Sequence, residues 1–359
     1  MISEKQEPAA YRLAFLCRQA RQALALQWQP SFMSSPVKFT SQQVRDFRKR
    51  LMRWFDREQR KLPWRGETDP YRILVSEIML QQTRVAVVQE RYKSFLQQFP
   101  SAEKLARARE QTVLAAWSGL GYYRRARALH AAAKQVSSSG GFPRNSTSMT
   151  ELPGVGRYTA AAVASIAYGE AVAVVDGNVK RVLVRLSGRE LRDKDNWRLA
   201  GELLDAKRPG DFNQAMMELG ATVCLPGKPQ CERCPVVALC SGRGADAKRE
   251  KTSRRKAVLR YSLIQRNGNV FLRQRPKDAS LMAGMWELPE CNGSQNSGQP
   301  ILKLKHSITV TDYTVLVFRE TNVSHPGRWV PISKVGRMAL TGLTKKILKK
   351  WVQLEGEDA

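Results

Sequence analysis

The apolar residues of this chain recur at one spacing before residue 240 and at another after residue 258, and that break limits the fold to two unlike parts. Between residues 41 and 220 they return every three or four positions, as in helices with one buried stripe. Residues 41–60 show it in Val44, Phe47, Leu51, Trp54 and Phe55. Similar stripes cover 71–80, 85–96, 111–117, 124–136, 158–168, 178–187 and 196–206. Pro63, Pro100, Gly119 with Gly121, residues 137–143, Gly154 with Gly156, and Pro209-Gly210 punctuate them. An all-α domain over residues 41–240 is expected. Residues 241–257 carry seven Lys or Arg among small residues, which reads as an exposed basic linker. Beyond it the period becomes two. Val258–Arg266, Asn269–Arg275 and Ile308–Phe318 are predicted strands, with Asn267-Gly268 as a hairpin turn. Residues 340–352 read as an amphipathic helix. The second part, 258–352, is therefore a smaller α+β domain, followed by a tail at 353–359. Two domains suit 359 residues.

Residues 1–40 form an N-terminal extension and a candidate disordered segment. Residues 9–27 are loosely amphipathic but lack the unbroken apolar core of a signal peptide. Met1 and Met33 are both open as the true start; one hypothesis takes Met33, with residues 1–32 as an extension, and an intact mass that includes Met1-Ile2 would overturn it.

Lys and Arg number 60 against 32 Asp and Glu, a formal net charge of +28. Such a field attracts polyphosphate and points to nucleic acid, although unspecific adhesion to anions would explain charge alone. No apolar run reaches the length of a membrane span; residues 160–175 come nearest and are broken by Gly169-Glu170. His130, His306 and His325 are all the histidines. Chemistry built on imidazole is thereby disfavoured, leaving carboxylates, Lys or Tyr.

Cys224, Cys231, Cys234 and Cys240 stand as C-x6-C-x2-C-x5-C, four of the six cysteines in the chain. Structural zinc usually draws on two C-x2-C knuckles, and only Cys231 and Cys234 make one. Disulfides need an oxidising compartment. An iron–sulfur cluster held by four thiolates fits this spacing best.

Leu152-Pro-Gly-Val-Gly-Arg-Tyr158 lies between two helical stretches. Gly154 and Gly156, flanking Val155, permit a tight turn and bare amides at a helix start, where phosphate is favoured. An ordinary corner between helices would explain the same glycines. Glu77, in YRILVSEIMLQQT, falls on a mainly apolar helix face. Burial there would raise its pKa and let it hold a proton at neutral pH; a structural Glu paired to Arg or capping a backbone group is the alternative. Asp176, in VVDGNV before a helix, suits an N-cap and, held rigid, could stabilise a developing cation.

In this order, these pieces resemble the helix–hairpin–helix DNA glycosylase superfamily. LPWR at Leu62–Arg65, SEIMLQQT at Ser76–Thr83, GLGYY at Gly119–Tyr123 and VVDGNV at Val174–Val179 are similar to the MutY family of adenine DNA glycosylases. The resemblance covers about residues 41–240 and extends more loosely to 350. It implies an enzyme that removes adenine opposite 8-oxoguanine or guanine in double-stranded DNA; with no self-association motif evident, a monomer is the default expectation, and a cytoplasmic, nucleoid-associated location is expected. It implies a [4Fe-4S] cluster on the four cysteines, pinning the loop Leu225–Gln230 with Lys228 against the backbone. By the same resemblance, Glu77 protonates adenine and Asp176 stabilises the sugar cation, with Tyr158 and Asn178 beside them. Gln82 is the wedge, Tyr122 lies beside the opposing base, and Leu62 and Trp64 line the adenine pocket. For Trp64 and Tyr122, service in the core is the competing expectation. Endonuclease III, similar in hairpin, aspartate and cluster, carries a Schiff-base lysine where Tyr158 stands; a tyrosine implies hydrolysis without strand cutting. An endonuclease III-like lyase and a non-enzymatic iron–sulfur DNA-binding module are the alternatives.

Residues 258–352 resemble the MutT-like domain of the same family, most closely at Leu281–Pro289. Glu290 is followed by CNGSQNSGQP without an acidic cluster, so lesion recognition is expected rather than magnesium-dependent hydrolysis. The family's Phe-Ser-His reading loop aligns with Ile308-Thr309-Val310. Thr309 keeps a hydroxyl, but Val310 has no ring donors.

Overall fold

The computed structural model describes residues 39–244, 253–291, 299–308, 310–323 and 326–357. The proposed Met33 start, most of the basic linker and Thr309 lie outside them. Helices fill the first part: α1 (Ser41–Glu58), α2 (Pro70–Leu80), α3 (Val85–Gln98), α4 (Ala102–Ala106), α5 (Glu110–Ala116), α6 (Arg124–Ser138), α7 (Ser146–Met149), α8 (Arg157–Tyr168), α9 (Gly177–Ser187), α10 (Asp193–Leu203) and α11 (Pro209–Thr222). Two short 3-10 turns, Cys231–Arg233 and Val237–Leu239, end it.

Local chemistry sets the boundaries that matter for the site. Asp69 caps α2 by accepting from the Tyr71 amide at 2.9 Å, with Pro70 at the first helical position. Gly169 and Gly188 end α8 and α9 in the left-handed conformation. Leu74, Met79, Phe95, Leu114, Trp117 and Leu129 are among the side chains that fill the core these helices share.

The second part is a mixed sheet in the order β3-β2-β1-β5-β4, with β6 also paired to β2. Its strands are β1 (Arg255–Arg266), β2 (Asn269–Gln274), β3 (Trp286–Glu287), β4 (Leu302–Ile308), β5 (Thr311–Glu320) and β6 (Arg328–Pro331). Strands β1 and β5 run parallel, from Arg255 opposite Thr311 to Ile264 opposite Glu320. Asn267 and Gly268 both take positive φ, as a two-residue hairpin turn requires. Helix α12 (Ile332–Val335) and helix α13 (Gly342–Glu357) follow, and α13 buries Leu343, Ile347, Leu348 and Trp351 against the sheet.

One expectation is corrected here. Residues 308–318 are not one strand: β4 ends at Ile308 and β5 begins at Thr311, and the two pair antiparallel with Ile308 opposite Thr311. Neither Gly nor Pro stands at 309 or 310, so no local sequence signal separated the two strands. The helical and sheet parts belong to one compact unit, 41–359. Met285 and Ala339 enter the helical core, and Arg127 and Gln111 donate to the carbonyls of Ala283 and Gly284.

Candidate active site

A pocket of about 580 Å³ opens where the C-terminal half of α2, the first turns of α8 and α9, and one face of α11 meet. Glu77, Tyr158, Asp176 and Asn178 all line it, together with Leu62, Trp64 and Gln82. Residues scattered over more than a hundred positions of sequence therefore share one cavity.

Glu77 is 6% exposed on a helix that otherwise buries Ile73, Leu74, Val75, Ile78 and Met79. Its bond is to a neutral partner: the Tyr158 hydroxyl donates to Glu77 Oε2 at 2.8 Å. The same hydroxyl lies 3.0 Å from Met217 Sδ. Burial pushes the Glu77 carboxyl up to about 7; the tyrosine bond pulls down, Asp176 pushes up and Arg65 pulls down. Near neutrality this acid holds its proton about half of the time, which follows from a pKa of about 7.

Asp176 caps α9. Its Oδ1 accepts from the Val179 amide at 2.7 Å and its Oδ2 from Asn178 Nδ2 at 2.9 Å. Both carboxyl oxygens are held, so the capping role and a fixed negative charge in the pocket coexist. Asn178 is itself anchored, accepting from Arg181 Nη2 at 2.9 Å, while Arg181 Nε donates to the Cys224 carbonyl at 2.8 Å. Helix α11 can approach because residue 220 is glycine: a Cβ there would stand 2.7 Å from Asn178 Cβ.

Sequence reasoning missed a second buried glutamate in the pocket lining. Glu218, 1% exposed, receives Arg60 Nε at 2.6 Å and Arg65 Nη2 at 2.7 Å. Arg65 also donates to Gln214 and sits over the Phe55 ring at 5.2 Å. Burial alone would raise the Glu218 carboxyl, but the two arginines hold it below the usual carboxylate range. The signal that singled out Glu77, a carboxylate inside an apolar helix, was equally present in AMMELGAT.

Trp64 is buried edge-on against Tyr92, ring centroids 5.5 Å apart, and it also lines this pocket. Tyr122 is no core residue; it is 52% exposed. Gln82 and Tyr122 both take positive φ, 55° and 48°, a conformation that costs side-chain-bearing residues. In the hairpin, Leu152 and Val155 are buried and Gly156 precedes α8. Gly154 has φ 75°, and a Cβ there would lie 2.4 Å from Ala128 Cβ, so packing alone demands glycine at that position.

Cys224, Cys231, Cys234 and Cys240 are free thiols around a single small cavity walled by Val182, Leu186, Leu219, Val223, Val236 and Val237. Arg185 staples this loop, donating to the carbonyls of Leu225 and Gly227 at 2.7 Å each and lying 3.4 Å from Cys224 Sγ. Lys228 is exposed in the same loop. Burial pushes the Cys234 thiol up to about 11, and the other three cysteines add to it. Four sulfur donors, apolar walls and mutual repulsion between thiolates suit a cationic, sulfur-ligated centre. Among the described residues no group of three or more His, Cys, Asp or Glu converges on a site for one ion.

Residues 75–202 match the HhH-GPD superfamily of base excision DNA repair proteins. An adenine DNA glycosylase of Homo sapiens is 48% identical over 218 residues, covering 56% of this chain and 40% of that protein. One from Arabidopsis thaliana is 40% identical over 304 residues, covering 70% and 48%. A solved thermostable thymine-DNA glycosylase superposes with a TM-score of 0.53 at 33% identity, covering 56% of this chain and 96% of that one. The chain belongs to the HhH-GPD superfamily of DNA repair glycosylases, on the branch whose curated relatives bear the name adenine DNA glycosylase. It spans about half the length of those curated relatives.

Proposed function

We propose that the protein flips adenine out of double-stranded DNA, where it stands opposite 8-oxoguanine or guanine, and hydrolyses its bond to deoxyribose. The observation that carries this reading is the buried Glu77, bonded to a phenol and lining the same pocket as the capped Asp176. Glu77 gives its proton to the adenine ring. The electron pair of the glycosidic bond leaves with the base, and the Asp176 carboxylate stabilises the cation left on the sugar. Water then adds to the anomeric carbon, and its proton returns to Glu77. Adenine and an abasic site are the products.

The pocket lining includes Arg60 and Arg65 but, among the described residues, no lysine, and this supports hydrolysis over imine chemistry. Gln82 would fill the vacated stack and Tyr122 would meet the opposing base. The hairpin amides and Lys228 would hold backbone phosphates. Cys224, Cys231, Cys234 and Cys240 would ligate a [4Fe-4S] cluster, whose contribution is to fix the Leu225–Gln230 loop by cross-linking it. The sheet part would act as a MutT-like reader of the lesion through the segment 308–310, with the enzyme working as a nucleoid-associated cytoplasmic monomer.

Single-turnover cleavage of three duplexes tests this: adenine opposite 8-oxoguanine, adenine opposite guanine, and thymine glycol opposite adenine. The reading predicts strand breaks on the first two and only after alkali. Breaks without alkali on the third would favour the lyase.

A further inference from the structure

We propose that Arg125 is a positioning residue that sets Gln82 and Tyr122 together, so that both side chains meant to enter the DNA are aimed from one guanidinium. This rests on the function proposed above, in which those two residues occupy the opened helix.

Arg125 Nη1 donates to the carbonyls of Ile78 at 2.7 Å and Met79 at 2.9 Å. These belong to the last turn of α2, whose carbonyls have no partner within the helix, and they adjoin Glu77. Nη2 donates to Thr83 Oγ1 at 2.9 Å, to the Leu120 carbonyl at 2.9 Å and to that of Gly121 at 3.2 Å. The bonded groups thus bracket Gln82 on both sides and immediately precede Tyr122. The guanidinium carbon lies 5.5 Å from the Trp117 ring and 5.6 Å from the Tyr122 ring. It rests between a fully buried aromatic and an exposed one.

The backbone gives an independent reason to need such a fixture. Among the described residues of the helical part, Gln82 and Tyr122 are the non-glycine positions with positive φ. Conformations of that kind persist only where surrounding contacts over-determine them, and Arg125 contacts both segments. Thr83 Oγ1 adds a direct tie, donating to Leu120 O at 3.2 Å. Arginine suits the task because its planar fork reaches several acceptors in fixed directions, which an ammonium cannot. Burial pulls the Arg125 pKa down to about 10, so the charge facing the α2 carbonyls persists at neutral pH.

The test uses the full chain with Arg125→Lys and Arg125→Gln. Single-turnover adenine release is measured from a mispaired duplex and from a duplex in which adenine is already unpaired in a bulge. In parallel, 2-aminopurine fluorescence beside the mispair reads unstacking without chemistry. Misplacement of this kind costs about 10²-fold in rate, and that loss is expected for Arg125→Gln on the mispair. It should shrink several-fold or more on the bulge, with the fluorescence rise weakened in step; Arg125→Lys falls between, keeping charge without the fork. Equal slowing on both substrates would mark Arg125 as scaffold and overturn the proposal, as would unchanged rates or an unchanged fluorescence rise. Should the unmodified protein release no adenine from either duplex, the proposed function falls, and the fluorescence arm still decides Arg125.

Discussion

Two walls of one pocket each bury a glutamate, and the chain treats them oppositely. Glu77 on α2 is given a phenol and a neighbouring carboxylate, and its proton affinity rises to about 7. Glu218 on α11 is given two arginines and is held ionised. Both side chains are almost fully buried, so burial alone does not decide which carboxyl keeps a proton. The counter-charge decides. Glu218 also occupies Arg60 and Arg65, which keeps those cations from pairing with Glu77. On this account the arginine clamp is what leaves an uncharged acid available a helix away.

The largest expected effect is at Glu77. Glu77→Gln removes the transferable proton while keeping the shape of the side chain, so single-turnover adenine release should fall ~10²–10⁴-fold. Duplex affinity, read by gel shift, should stay unchanged; a matching loss of binding would remove the contrast with Glu218. Next comes Glu218→Gln, which leaves Arg60 and Arg65 short of a buried counter-charge. Chemical denaturation should register a loss of about 3–5 kcal/mol. The freed Arg65 should also lower the Glu77 pKa and move the alkaline fall in activity to lower pH. Unaltered stability would show that the clamp holds nothing. The smallest effect is Tyr158→Phe. The lost hydrogen bond favoured the ionised Glu77, so the acid should hold its proton to higher pH and the alkaline fall should move upward in a rate–pH profile. A shift downward would mean the phenol acts otherwise.

Much of the site was legible because its signals are local. The cysteine spacing, the L-P-G-V-G turn, and a charged residue inside YRILVSEIML each need only a few neighbours to be read. Glu218 carried the same mark as Glu77, but it had no turn or capping position beside it to attract notice. Arg125 could not be read: in GLGYYRRAR it looks like its exposed neighbour Arg124, and a long side chain can turn inward or outward from one backbone position. Its partners, Ile78 to Thr83, lie some forty residues away and appear only on folding. The second part was less legible for a related reason. Strands β3 and β6 are short, and what makes them strands is pairing with β2 rather than their own alternation.

The most direct test of the central claim is a titration of Glu77 itself, by carboxyl ¹³C NMR on selectively labelled protein with Glu77→Gln for assignment. The account predicts a midpoint near the structural value of about 7. Because this folded pKa is raised, any stability Glu77 contributes is complete below the unfolded value and lost as pH rises through that midpoint. A midpoint at the ordinary glutamate value or below would mean that the acid is ionised at neutral pH, and the proton-delivery role would fall with it.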